Sequence, residues 1–289
     1  MTNLNSNEPP KDLAVTTSGR PTEEVIHTAQ DWAERLGVPF VLRVEGIQKL
    51  AARYDVKGLL VVSAERITYR EPLTALEYFF HPSMAKVRLH NCLRGHDDPL
   101  LRAMALQAGE SVLDCTLGRA TDAALCAWKV GPSGRVLGLE KSRILAELTI
   151  DGLAHYVDSA TRLTELLRRV EALWADYHEF LPTCADDSFD IVYFDPIFHD
   201  PLEQSQAMVP LRALADSSPL TAEAVAEARR VARRRVVIKQ RKGTPLWEEL
   251  GVSEVVGSPG GKIEYGVVIA SGACLGQGGC RRSRSFRAE

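Results

Sequence analysis

No run of about 18 uncharged apolar residues occurs in this chain, which excludes a helical membrane span. The first ten residues, rich in Asn, Glu and Pro, hold no apolar stretch of a secretory signal, so a cytoplasmic protein is expected. Cysteine is scarce, six in 289 residues, and Cys92, Cys115, Cys126 and Cys184 lie scattered without metal-ligand spacing. Buried or idle thiols are expected, and no metal. Neither sign of charge is in large excess: a net charge of -3 argues against indiscriminate coating of nucleic acid while leaving room for a local basic face. Solenoid-period repeats are absent. What remains, 45% hydrophobic and 25% charged residues, is the composition of an ordinary globular chain, long enough for two domains.

Residues 1–12 are expected to be a disordered leader and 272–289 a disordered tail, Gly-rich around Cys274 and Cys280 and then basic. Between them, 13–75 read as a small α/β domain. Leu13–Thr17 and Phe40–Val44 suit strands, Thr22–Leu36 suits an amphipathic helix ended by Gly37 and Pro39, and Ile47–Tyr54 suits a second helix. Leu59–Val62 and Arg66–Tyr69 complete that unit near Pro72. A connector with a polar stretch through Arg88, His90 and Arg94 leads to Asp97 and Asp98, which can cap a helix from Pro99 to Leu106. From 76 to 271 the pattern is one of βα units. Ser111–Cys115, Val136–Glu140, Val170–Trp174, Ile191–Phe194, Arg235–Lys239 and Tyr265–Ala270 are continuous apolar runs, as in strands buried on both faces. The expected fold is α/β, a doubly wound, mostly parallel Rossmann-like sheet.

The segment Asp114-Cys115-Thr116-Leu117-Gly118-Arg119-Ala120-Thr121-Asp122 is a strand entering a small-residue turn and then a helix, which lets backbone approach a ligand. It is not a dinucleotide loop, because only Gly118 is a glycine, and Asp114 and Asp122 would repel a pyrophosphate. A cationic ligand fits better, and S-adenosylmethionine carries a sulfonium and an ammonium group. Glu140, at the end of the next apolar run, stands where an acidic side chain meets ribose hydroxyls, a feature that NAD enzymes share. The bland alternative is that these acids cap helices or end strands in solvent.

Phe189 to Phe198 is an apolar strand that delivers Asp195-Pro196-Ile197-Phe198 at its C-terminal edge, where open α/β sheets place their active sites. The Asp195 carboxylate and a nearby carbonyl could accept the two N–H donors of an exocyclic amine while Phe198 stacks on the ring, aligning the nitrogen with an electrophilic methyl. Asp195, Pro196 and Phe198 are therefore the candidate catalytic residues; an Asp-Pro turn beside a core phenylalanine is the alternative.

Asp114 to Gly118 with Asp122, Gly138-Leu139-Glu140, Val192 to Phe198, and Arg235 to Lys239 together resemble the class I S-adenosylmethionine-dependent methyltransferases. Within that class the resemblance is to the RsmJ/YpiP-like branch, typified by the 16S ribosomal RNA guanine-N2 methyltransferase. It spans most of Phe80 to Ala270. It implies a seven-stranded sheet, S-adenosylmethionine as cofactor, and cofactor contacts at Thr121, Asp122, Glu140, Asp176, Tyr177 and Asp195, beside Asp114, Thr116 and Gly118 of the loop. Ala120 replaces the second loop glycine, and 174–177 match in position alone.

On the substrate side, Lys239, Arg241 and Lys242 close a basic run and are expected to meet RNA phosphates, with Arg88 added from the connector. Arg229, Arg230, Arg233 and Arg234 read equally well as a solvated face. A polar loop from His199 to Ser218 is expected to cover the target base. The expected activity is methylation of a nucleobase exocyclic amine, guanine N2 of small-subunit ribosomal RNA, with RNA or the small subunit as partner, no membrane, and an undetermined oligomeric state. DNA, a protein side-chain amide or a small planar amine are alternative acceptors; an NAD-dependent oxidoreductase or a non-catalytic RNA-binding module are alternative classes.

Overall fold

A computed structural model describes residues 10, 12–159, 161–197 and 209–270. The expected leader and tail, apart from residues 10 and 12, lie outside that range, as does Phe198. Asp12 belongs to the folded unit, since its carbonyl accepts from the N–H groups of Lys57 and Gly58.

The first sheet has the order β1 (Leu13–Thr17), β2 (Gly58–Val62), β3 (Ile67–Glu71), β4 (Leu76–Tyr78), with helices α1 (Glu23–Leu36) and α2 (Ile47–Tyr54) joining β1 to β2. β1 and β2 run parallel and are buried throughout because both faces are covered. Leu13, Val15, Leu60 and Val62 pack with α1, while Ala14, Leu59 and Val61 pack with Leu50 and Ala51 of α2. Thr22 caps α1 and Gly37, at φ 68°, ends it. Two expectations are corrected. Residues 40–44 make a single bridge, Val15 to Phe40; Val41 is buried with Leu50 and Ala51 of α2, but Leu42 and Val44 turn to solvent, so the run does not extend into a strand. The unit also continues past 75, because β4 pairs with β3 from Leu76 to Tyr78 and is too short to show a period.

The second sheet has seven strands: β5 (Ser111–Asp114), β6 (Arg135–Glu140), β7 (Val170–Trp174), β8 (Phe189–Phe194), β9 (Ala232–Arg241), β10 (Glu254–Gly257) and β11 (Ile263–Ile269). Their order is β10-β11-β9-β8-β5-β6-β7, and β11 alone runs against its neighbours. β10 is the strand that hydrophobicity did not reveal, since Glu254 and Val255 are exposed on an edge. Successive residues alternate between two cores: Val112, Ile191, Tyr193 and Val237 on one face, Leu113, Val192, Phe194 and Val236 on the other. The covering helices are α3 (Ala85–Leu93), α4 (Pro99–Met104), α5 (Thr121–Val130), α6 (Arg143–His155), α7 (Thr161–Leu167), α8 (Tyr177–Phe180), α9 (Val209–Leu214), α10 (Ala222–Val231) and α11 (Leu246–Glu249). Part of the polar connector is thus the helix α3, and the described end of the expected loop to Ser218 contains α9. None of these helices is long and apolar enough to cross a membrane.

The two sheets share a core. Leu145 and Leu148 of α6 and Leu211 of α9 pack in the same cluster as Trp32, Leu36 and Tyr78, and Arg35 pairs with Glu147 at 3.1 Å. Strand order reverses at β5, which is flanked by β6 and β8, so a crevice opens at the C-terminal ends of these strands.

Candidate active site

That crevice is a cavity of about 560 Å³, within the range of small-molecule sites. Three parallel strands each deliver a carboxylate to it: Asp114 from β5, Glu140 from β6 and Asp195 just past β8. The turn after β5 is held from several sides. The Cys115 N–H donates to the Tyr193 carbonyl (2.9 Å), that of Leu117 to the Leu139 carbonyl (2.8 Å), and Thr149 Oγ1 to the Gly118 carbonyl (2.7 Å). Gly118 (φ 50°) and Ala120 (φ 55°) both take the left-handed conformation, so Ala120 adopts the geometry a glycine would supply at no steric cost. The Thr116 hydroxyl accepts from the Asp195 N–H (2.6 Å), tying the loop to the Asp-Pro turn.

The acids differ in their surroundings. Asp114 is buried with one backbone donor, the Thr116 N–H at 3.0 Å; burial, with Asp122 and Asp195 nearby, pushes its carboxyl up to about 8. Burial likewise raises Glu140 to about 7 against the N–H donors of Ser142 (2.9 Å) and Gly118 (3.2 Å). Asp122 is the opposite case. Burial alone would raise it, but Lys239 and Arg88 hold it well below the usual carboxylate range; it accepts from Lys239 Nζ (3.2 Å), Tyr193 Oη (2.8 Å) and Arg88. Asp195 is raised by burial, opposed by Lys239, whose Nζ lies 2.7 Å from Oδ2.

Of the residues singled out from sequence, Asp114, Thr116, Gly118, Thr121, Asp122, Glu140, Tyr177, Asp195, Pro196, Lys239 and Arg88 all border the cavity. Asp176 does not; it caps α8 through the His178 N–H and pairs with Lys141 at 3.1 Å. Phe198 lies outside the described residues. Lys239 and Arg88 turn inward onto carboxylates, Lys239 onto Asp122 and Asp195 and Arg88 onto Asp122 and, at 2.9 and 3.0 Å, Asp98. Arg241 and Lys242 do not border the cavity; they end β9 and follow it, with Lys242 exposed. At the other end of that strand, Arg233 and Arg234 pair with Asp190 and Glu110, and Arg230 pairs with Asp186 and Glu227; these arginines tie the scaffold together.

Sequence reading missed Tyr193, Tyr265, Arg119, Lys141 and Asp216 of this site. Lys141 could have been found as the neighbour of Glu140. The tyrosines read as ordinary strand residues and carried no separate signal.

A family model described as "Putative SAM-dependent methyltransferase" matches residues 48–257. The chain belongs to this family. S-adenosylmethionine is its cofactor. A protein of Bacillus subtilis named YpiP and described as uncharacterized is 38% identical over 89% of this chain and 99% of its own length. The Ribosomal RNA small subunit methyltransferase J of Hahella chejuensis is 27% identical over 76% of this chain and 86% of its own. A SAM-dependent methyltransferase from Neisseria gonorrhoeae has the same fold, with a TM-score of 0.59 at 17% identity, covering 92% of this chain and all of that one.

The donor set fits S-adenosylmethionine. Among the described residues, Asp114 and Glu140 are buried acids without a cationic partner at hydrogen-bonding distance, and a ligand bringing positive charge and hydroxyl donors supplies what they lack. Asp122, already held by two cations, has little left to offer a third.

Proposed function

We propose that this methyltransferase acts on an exocyclic amine of a nucleobase, guanine N2 in small-subunit ribosomal RNA, in the cytoplasm. The observation that carries the reading is Asp195, followed by Pro196 and Ile197, on the cavity wall beyond β8 with its side chain 30% exposed. Relatives named as ribosomal RNA small subunit methyltransferases, 27% identical in Hahella chejuensis and 32% over a shorter stretch in Laribacter hongkongensis, support the RNA substrate.

Bound S-adenosylmethionine supplies an electrophilic methyl group on sulfur. Glu140 and Asp114 would hold it from the tips of β6 and β5. Asp195 would accept a hydrogen bond from the amine and stabilise the positive charge that grows on nitrogen, so that alignment rather than a strong base carries the reaction. Pro196 removes a backbone donor at the turn and fixes its φ. Lys242, exposed beyond the cavity, and Arg241 beside it at the end of β9 would add phosphate contacts from outside the pocket.

The test uses ribosomal RNA from a strain lacking the gene, labelled S-adenosylmethionine and nucleoside mass mapping. Methylguanosine at a single site is expected with the wild type. With Asp195→Ala, transfer should drop at least about a hundredfold while S-adenosylhomocysteine still binds. Label appearing in DNA, protein or a small amine instead of RNA would overturn the proposal.

A further inference from the structure

Behind Asp195 lies a row of alternating charges drawn from five elements. Asp98 caps α4 by accepting from the Leu100 N–H and takes two hydrogen bonds from Arg88 of α3. Arg88 also pairs with Asp122 of α5, Asp122 with Lys239 of β9, and Lys239 with Asp195 past β8. Asp98 and Asp122 are each 8% exposed and Arg88 and Lys239 about 20%, while Asp195 at the end of the row is 30% exposed. Three carboxylates share two cations, and the member most open to a ligand is Asp195.

We infer that Lys239 is a positioning residue for methyl transfer: gripping one oxygen of Asp195 and sharing its charge with Asp122, it keeps the Asp195 carboxylate ionised and aimed into the cavity. The inference rests on the reading of Asp195 as the group that meets the amine. Every charged or titratable group facing Asp195 enters the balance. Burial opposes ionisation; Lys239 and Arg88 favour it; Asp122 from α5 and Asp114 from β5 oppose it, as would the phenols of Tyr193 on β8 and Tyr265 on β11 were they to ionise. Removing Lys239 leaves Asp122 and Asp195 facing each other without the shared cation, and proton uptake by Asp195 relieves their repulsion. Neutralising Asp122 does the reverse, because Lys239 then serves Asp195 alone. Opposite shifts from two neighbouring substitutions distinguish an electrostatic role from a structural one.

The experiment uses the full chain labelled with 13C at the aspartate carboxyls, with the Asp195 resonance identified by its loss in Asp195→Asn. Its titration midpoint is read in the wild type, Lys239→Met, Lys239→Arg and Asp122→Asn, beside the pH-rate profile of methyl transfer to unmodified ribosomal RNA. In Lys239→Met the midpoint and the acidic limb should both move up by about one pH unit or more, so that activity below the limb falls about tenfold and recovers at higher pH. Lys239→Arg should restore the wild-type midpoint, and Asp122→Asn should lower it. A midpoint unmoved in folded Lys239→Met, or a loss of activity equal at every pH, overturns the inference. Should Lys239→Met fail to fold, the direction of the Asp122→Asn shift decides. If the midpoints move as expected but the wild type methylates no RNA, the RNA assignment falls and the coupling of Lys239 to Asp195 stands.

Discussion

Asp114 and Glu140 hold their place at a cost that depends on pH. Each has a folded-state pKa raised chiefly by burial, to about 8 and about 7, above ordinary values of 3.8 and 4.5. An acid that binds its proton more tightly when folded contributes its stability at low pH and loses it as pH rises from the unfolded to the folded value. Asp114→Asn keeps an acceptor for the Thr116 N–H and removes the ionisation. The ligand-free variant should therefore gain over the wild type progressively between about pH 4 and 8, by about 1.4 kcal/mol at most for each pH unit crossed, while its affinity for S-adenosylmethionine falls. Calorimetry across that range checks it, and a stability difference flat with pH would sink it. Ala120 takes a left-handed conformation in the same loop; the sequence shows the alanine but not the backbone that makes it costly.

Elements differ in how plainly they declare themselves. β5, β6 and β8 are apolar on both faces, β5 and β6 ending in an acid and β8 followed by one, and were readable as strands because helices cover both sides of the sheet. β4 and β10 lie at sheet edges, where burial imposes little pattern, and residues 40–44 show the converse, an apolar run that pairs at one bridge and leaves Leu42 and Val44 in solvent. Helix α6 depends on one small residue. A Cβ at Gly152 would overlap the Phe80 ring, which itself meets Tyr156 edge-on with centroids 5.8 Å apart. Gly152→Ala gains helix propensity but forces that aromatic pair to move, so a net loss of about 1–3 kcal/mol is expected in urea unfolding. An unchanged or higher midpoint would show that the ring moves freely.

Across the whole molecule, the small sheet and the seven-stranded sheet bury residues in a common cluster through α1, α6 and α9, and α9 also lines the cavity through Leu211 and Arg212. The full chain should therefore unfold in one cooperative calorimetric transition, and S-adenosylhomocysteine should raise that transition as a unit. Two resolved transitions, only one of them ligand-sensitive, would show the units to be independent. The sheet class, the acids at strand tips and the Asp-Pro turn could be read along the chain because strand burial and turn chemistry are local, written in neighbouring residues. The fate of the cations could not. Lys239 meets Asp122 and Asp195 across 117 and 44 positions, and Arg88 meets Asp122 across 34, so packing alone determined that these charges face carboxylates brought in from distant segments.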